Sequence, residues 1–252
     1  MNKVSVYIIA YNEAEKIEAA INSVLWADEI LVADSYSEDS TAAIAEQLGA
    51  RVVQIPFRGF GDLRNQAMAA CTHEWIFSLD SDERCTPEAR DEILACLAAP
   101  QADAYYIPRR NYFMGRWIRH SGFYPDYRQP QLFRKGALVF KNDPVHEEYS
   151  IVTERPVAYL HNAIWQFPFK NLDELVHKAN KYSTLGAEKM ALRGRPGCSL
   201  WTALVHGLWS FFHMYILKQG ILDGWPGFAI AFYNFESTFY KYAKLHEQQA
   251  NW

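Results

Sequence analysis

Along the first hundred positions, apolar residues come in short blocks, and each block runs into a polar cluster. Residues 4–10, 30–33, 52–55 and 75–79 are compact apolar runs rich in β-branched or aromatic side chains, which predicts buried strands. Between them the spacing becomes helical. Ile17, Ile21, Val24 and Leu25 share one helix face, with Asn12 placed to cap that helix. Further helices are predicted over 42–48, stopped by Gly49, and over 63–70. Thr86 as N-cap and Pro87 in the first turn open another, running to about residue 98.

This β-α-β-α-β-α-β-α alternation predicts an α/β fold with a mostly parallel sheet and helices on both faces. Ligands of such sheets gather at the carboxyl ends of the strands. Three polar clusters fall there: Tyr11-Asn12-Glu13, Asp34-Ser35-Tyr36-Ser37 and Asp80-Ser81-Asp82-Glu83. Three in succession favour a nucleotide site. No G-x-G-x-x-G follows the first strand, and Gly59-Phe60-Gly61 lies in the wrong context, which disfavours a dehydrogenase.

After Pro100 the pattern changes. Residues 105–108 read as a strand, and 132–133 with 138–140 as a hairpin turning at Arg134-Lys135-Gly136. A strand over 157–160 ends in His161. Residues 171–190 place Leu172, Leu175, Val176, Ala179, Tyr182 and Leu185 on one helix face. Residues 200–217 contain no Asp, Glu, Lys or Arg, though His206 and His213 interrupt them, and 225–235 are apolar and aromatic. The division expected is a domain over 1–165 and a helical, aromatic-rich region over 166–252.

Composition refines this outline. The chain has 252 residues, half of them hydrophobic and 21% charged, enough for one large core with an appendage. Its formal charge of −4 is unevenly spread: residues 1–100 carry 7 Lys+Arg against 17 Asp+Glu, and 101–252 carry 18 against 12. An acidic first half argues against nucleic-acid binding, whereas the basic remainder allows an anionic partner. Cys71, Cys85, Cys96 and Cys198 lack C-x-x-C spacing and fit free thiols in a reducing compartment. Met1-Asn2-Lys3 leads straight into a strand-like run, so the expectation is a cytoplasmic protein without a signal peptide.

An Asp-x-Asp at the tip of a buried strand holds a divalent cation against a diphosphate in many proteins, and hard oxygen ligands suit Mg²⁺ or Mn²⁺. Such acids also simply solvate a loop before a helix. For Arg109, Arg110, Arg116, Arg119 and Arg128 there are likewise two readings, a solvated surface or a grip on an anionic acceptor. The run 200–217 is at the lower bound for a membrane span, and its histidines and Ser210 argue against spanning. It is either a helix packed in a hairpin or one lying in a membrane interface, as Trp201, Trp209, Trp225 and nearby tyrosines suggest.

Five motifs together resemble the inverting family-2 glycosyltransferases with the GT-A fold, and in particular the bacterial lipopolysaccharide-core glucosyltransferase branch. They are Tyr11-Asn12-Glu13, Asp34 to Thr41, Arg64-Asn65, Leu79 to Glu83 and Val145-His146-Glu147. The resemblance implies a nucleotide-sugar donor bound by Tyr11, Asn12, Glu13, Asp34, Ser35, Arg64, Asp80 and Ser81. Tyr11 and Glu13 would lie near the base, Asp34 at uracil or ribose, and Arg64 by the diphosphate. Asp82 would ligate Mg²⁺ or Mn²⁺, with His161 completing the metal shell. Glu147 would be the catalytic base, with Glu148 as its rival because neighbours on an extended segment point to opposite sides. Arg116, Arg119 and His146 would meet the acceptor. The implied reaction moves glucose from UDP-glucose onto a lipopolysaccharide core at the cytoplasmic face of the inner membrane. A polyprenyl-phosphate or other polysaccharide acceptor, or a non-catalytic nucleotide-sugar binder, are the alternatives.

Overall fold

The computed structural model describes residues 2–141, 148–195 and 198–249. Two compact units form: residues 1–109 with 126–166, and residues 110–125 with 167–252. The segment 110–125, expected in the first domain, thus groups with the C-terminal helices.

The first unit contains the strands β1 (Val4–Ala10), β2 (Glu29–Asp34), β3 (Arg51–Gln54) and β4 (Trp75–Asp80), with helices α1 (Ala14–Asn22), α2 (Thr41–Gln47), α3 (Phe60–Ala70) and α4 (Pro87–Ala98). A two-residue strand β5 (Glu83–Arg84) sits between β4 and α4. Thr86 caps α4 as expected: its hydroxyl oxygen accepts from Ala89 N at 3.1 Å and donates to Ala163 O at 3.0 Å. β6 (Ala104–Tyr106) follows, then β7 (Arg109–Phe113) and β8 (Arg116–Ile118), which apart from Arg109 belong to the second unit, and then, back in the first unit, β9 (Pro130–Arg134), β10 (Leu138–Phe140), β11 (Tyr149–Ile151), β12 (Val157–Tyr159) and β13 (Ile164–Gln166).

The main sheet has the order β12-β6-β9-β4-β1-β2-β3, and only β9 runs antiparallel to its neighbours. Alternation along β4 sends Trp75, Phe77 and Leu79 into the core under α1 and α4, and Ile76 into the core under α3. β2 and β3 extend from β1 in one direction while β4 lies on its other side, so the strand order reverses at β1. That reversal opens the crevice in which α/β sheets bind ligands.

Two sequence expectations need correction. The strands around Arg134 to Gly136 do not form a hairpin: β9 is flanked by β4 and β6 on both edges, so β10 has no edge left there and pairs with β11 instead. Nor does Asn12 cap α1. The first amide groups of that helix region are met from the neighbouring loop: Glu13 N donates to Thr41 Oγ1 at 2.8 Å and Ala14 N to Asp39 Oδ2 at 3.1 Å. Asn12 has a positive φ of 54° and a different job, described below.

At the amino-terminal end of β2 Glu29 ties three segments. It accepts from Ser5 Oγ, from Arg51 Nη2 at 2.6 Å, and from Thr72 N and Oγ1 at 2.7 and 2.8 Å. Burial alone would push its carboxyl up, but these donors outweigh burial and hold it down at about 2. A carboxylate with a lowered folded pKa stabilises fully above its ordinary value and loses that contribution as pH falls through the folded one. Urea melts of wild type and Glu29→Gln should therefore differ at neutral pH and converge as pH drops from about 4.5 towards 2. A gap that stayed constant with pH would remove the ionised Glu29 from this role.

The second unit is built on α5 (Leu172–Leu192), α6 (Leu200–Phe212) and α7 (Gly224–Gln249), with a π turn at His213–Leu217 and a 3-10 turn at Gly220–Asp223. Asn171 caps α5 by accepting from Glu174 N at 2.9 Å. α6 packs its small residues Ala203 and Gly207 inward. A Cβ on Gly207 would meet the rings of Phe235 and the Cβ of Phe239 on α7 at 3.0–3.2 Å. The Phe113, Ile118, Phe169, Leu175, Ala229 and Ile230 side chains form this unit's own core.

Candidate active site

The site grows from the carboxyl ends of β1, β2 and β4. Ala10 is in register with Asp34 and Ile9 with Asp80, so two carboxylates stand on either side of β1 at nearly one level. Two strand spacings separate their backbones by about 10 Å. Asp34 is fully buried, and both its oxygens are engaged by Ser37, one by Ser37 Oγ and the other by Ser37 N at 2.9 Å. Ser35 is buried beside it, and its hydroxyl has no hydrogen-bond partner among the described residues.

Asn12 fastens the first two loops together. Its amide N donates to Ser37 Oγ at 2.9 Å, and its Oδ1 accepts from Glu38 N at 2.8 Å. Tyr11 and Tyr36 project from these loops, 55% and 59% exposed, and offer ring faces on which a base can stack. Tyr36 was not singled out by sequence reasoning. Its positive φ of 60° and the bond from its N to Gln54 Oε1 at 3.1 Å set its position, and neither is visible in a motif.

Period two along β4 puts Ile76, Ser78 and Asp80 on the α3 face, and Arg64 of α3 reaches that face. The Arg64 guanidinium is buried, with Nη1 donating to Ser78 Oγ at 3.3 Å and Nη2 to Asp80 Oδ1 at 2.9 Å. It also lies 5.6 Å from the Phe140 ring. Arg64, expected beside the donor's diphosphate, pairs with Asp80 at the same strand tip. Burial pushes the Asp80 carboxyl up, yet Arg64, with Arg109 and Arg128 further off, outweighs it and keeps Asp80 below the ordinary carboxylate range. Asp80 is held ionised, the state a cation or a ribose hydroxyl requires.

Glu83 has no access to solvent and serves a different purpose from Asp80 and Asp82. It pairs with Arg109 Nε, accepts from Gln131 Nε2 at 2.9 Å, and accepts from the backbone N of Asp80 at 3.0 Å. This latch fixes the turn that aims Asp82. Arg109, one of the arginines considered for an acceptor, is consumed by it. Ser81 is buried, and its carbonyl accepts from Arg84 Nη1 at 2.8 Å, which holds the turn from the other side. Asp82 itself is partly exposed, with Gln166 Nε2 3.4–3.5 Å from its carboxylate. Glu83→Gln would leave the Arg109 charge buried without its counter-ion. We expect it to lower unfolding free energy by about 3 kcal/mol in denaturant melts, whereas a change under about 1 kcal/mol would show that the latch is dispensable.

His161 follows β12, at the far edge of the sheet from β3, and its N donates to both oxygens of Glu92 at 3.0 and 3.1 Å. Among the described residues no group of three or more His, Cys, Asp or Glu is arranged around a metal position. Glu147 and His146 lie outside the described residues. The residues flanking them are well anchored. Asn65 of α3 donates to Phe140 O at 2.8 Å and accepts from Phe140 N at 3.0 Å. Gly61 allows the Lys141 carbonyl to approach where any Cβ would collide with it, and Lys141 N donates to Glu148 O at 2.7 Å. Glu148 pairs with Lys141 Nζ at 3.1 Å, both side chains being more than half exposed. Arg116 and Arg119 belong to the second unit and are exposed there.

The acidic tips of β2 and β4 thus flank β1 at the ligand-binding end of a sheet of the GT-A fold. The model of Glycosyl transferase family 2 matches residues 5–151, and the chain belongs to that family. It is a glycosyltransferase. A Rickettsia felis protein described as an uncharacterized glycosyltransferase is 32% identical over 98% of this chain and 90% of its own length. The lipopolysaccharide core biosynthesis glycosyltransferase LpsC of Rhizobium meliloti is 30% identical over 76% of this chain and 73% of its own. Among solved structures, S. aureus TarS 1-349 in complex with UDP superposes with a TM-score of 0.53, over 98% of this chain and 90% of that one. At 17% identity that match supports the fold alone.

Proposed function

We propose that the protein transfers a hexose, glucose from UDP-glucose, with inversion onto a lipopolysaccharide-core or other lipid-linked acceptor at the cytoplasmic face of the inner membrane. The observation that carries this reading is the pair Asp80–Asp82 at the tip of β4, with Asp80 kept ionised by Arg64, across β1 from Asp34. The similarity to LpsC supports the acceptor class.

The donor set fits Mg²⁺ or Mn²⁺, since Asp80 and Asp82 offer hard carboxylate oxygens and such ions favour one or two carboxylates together with substrate phosphates. When bound, the ion neutralises charge building on the diphosphate leaving group. Asp82 would ligate it directly and His161 would complete its shell, while Asp80 bonds ribose or water beside it. Tyr11, Asn12, Glu13, Asp34, Ser35 and Ser81 would line the nucleotide. The unpartnered Ser35 hydroxyl is a ready donor for it. Glu147 would take the proton from the acceptor hydroxyl as that oxygen bonds the anomeric carbon on the face opposite the departing diphosphate. His146 would hold the acceptor.

The test is transfer of labelled sugar from a panel of nucleotide sugars to core oligosaccharide, with and without Mn²⁺. Transfer from UDP-glucose that requires the metal supports the reading. Donor binding with neither hydrolysis nor transfer would mark a non-catalytic binder.

A further inference from the structure

The second unit joins a basic loop to an exposed apolar turn through a dense set of hydrogen bonds. Asp223, 2% exposed, accepts from Arg119 N at 3.2 Å, from His120 N at 2.9 Å, and engages His120 Nδ1 at 2.9 Å. Arg116 Nη2 donates to Leu222 O at 3.1 Å, and Ser121 N donates to Lys218 O at 2.8 Å. A Cβ on Gly220 would collide with Ser121 Oγ and come within 2.8 Å of Met214 O, so the turn is seated closely on the loop. The Arg116 guanidinium and the Arg119 backbone are therefore fixed beside the 221–225 turn.

That turn points apolar side chains outward. Ile221, Leu222 and Trp225 are each more than half exposed, and Trp201, Val205 and Trp209 on α6 are exposed as well. The segment Leu200–Leu217 is long and apolar enough to cross a membrane, and only 11% of it is buried inside the protein. Its inner face is committed to α7, with His206 stacked on Tyr242 at 4.4 Å, which leaves one apolar side rather than an all-round apolar helix. A one-sided apolar helix suits a bilayer surface better than a span.

Charge selects the kind of surface. The second unit carries 12 Lys+Arg against 6 Asp+Glu, while the first carries 13 against 23. Among the described residues Arg110, Arg116 and Arg119 have no ion-pair partner. Arg110 and Arg119 lie over the Trp117 ring at 4.9 and 5.5 Å. Stacking occupies the face of a guanidinium and leaves its in-plane N–H groups for a phosphate.

We propose that this unit carries an anionic-phospholipid docking surface, in which Arg116 and Arg119 take headgroup phosphate while Leu222 and Trp225 enter the acyl boundary. The proposal deepens the membrane-surface reading above and rests on it. The surface places the enzyme on the leaflet where a lipid-linked acceptor is anchored, and basic side chains make docking depend on anionic lipid and on salt.

The full-length chain is sedimented with vesicles of phosphatidylcholine alone or mixed with phosphatidylglycerol, with no nucleotide sugar present. Wild type should bind the mixed vesicles far better. Arg116→Ala/Arg119→Ala should bind them roughly 30-fold more weakly, from a factor of about 5 for each cation near the surface. Leu222→Ser/Trp225→Ser should lose binding to both vesicles. Arg116→Lys/Arg119→Lys should keep the preference for phosphatidylglycerol, and its loss there as complete as in the alanine pair would mean a structural role and overturn the proposal. Wild type that ignores phosphatidylglycerol, or an alanine pair that binds like wild type, would also overturn it. UDP-glucose binding, titrated separately without vesicles, reads the donor site. Its absence alongside lipid-selective sedimentation would overturn the donor reading and support this one.

Discussion

Asp82→Asn should reduce sugar transfer by about 10³-fold, roughly 4 kcal/mol of transition-state stabilisation, while leaving the fold intact. The substitution keeps shape and hydrogen-bonding capacity and removes one negative charge. The side chain is partly exposed at the end of a turn fixed by Glu83, Arg109 and Arg84, so the turn itself survives. The loss should fall on kcat and on the response to Mn²⁺, because that carboxylate acts where charge develops on the leaving group. Asp80→Asn should behave differently. It also releases Arg64 from its partner, so weakened donor binding should accompany the slower turnover. Steady-state kinetics over a Mn²⁺ series for both variants checks this. An Asp82→Asn enzyme with turnover within tenfold of wild type and the same Mn²⁺ dependence would remove Asp82 from the metal site.

Glu147→Gln should retain nucleotide-sugar binding and lose transfer by about 10³- to 10⁴-fold, the span typical of a general base that has been removed. Its neighbour is the built-in control. Glu148 is exposed and paired with Lys141, so Glu148→Gln should stay within severalfold of wild type. Asn65→Ala should fall between them, because Asn65 clamps Phe140 at both its N–H and its carbonyl, seven residues ahead of Glu147 in the chain. Donor affinity by titration and turnover by product release, measured for all three, separate binding from chemistry. Equal turnover in Glu147→Gln and wild type, or a collapse in Glu148→Gln alone, would reassign the base.

The parallel core was legible because its strands are buried on both faces and read as unbroken apolar runs ending in polar clusters. Thr86-Pro87 marked a helix start correctly, since that cap is local and its partner lies three residues on. Asn12 misled for the opposite reason. Its partners, Ser37 and Glu38, are 25 and 26 residues away, and the same side-chain chemistry serves a loop-to-loop bond as readily as a cap. The expected hairpin failed because sequence shows a turn at Gly136 but not that β9 already has both edges filled.

Within the site, residue type revealed Asp34, Asp80 and Asp82 but could not sort the acidic run by role. Glu83 closes the same acidic run in sequence, and only its burial against Arg109 shows it to be a latch. Arg64 shows the same limit: sequence offers the residue type but not its pairing with Asp80. A β5 of two residues is too short to leave a periodic signal, yet its pairing with β13 brings Gln166 to Asp82.

The central claim is that a metal-assisted diphosphate site sits at the end of β4. Calorimetric titration of UDP into wild type and Asp82→Asn, each with and without Mn²⁺, tests it most directly. The account predicts that Mn²⁺ tightens UDP binding by at least about tenfold in wild type and has little effect in Asp82→Asn. Binding of UDP that is indifferent to Mn²⁺ in wild type, or equally enhanced by it in Asp82→Asn, would contradict the account.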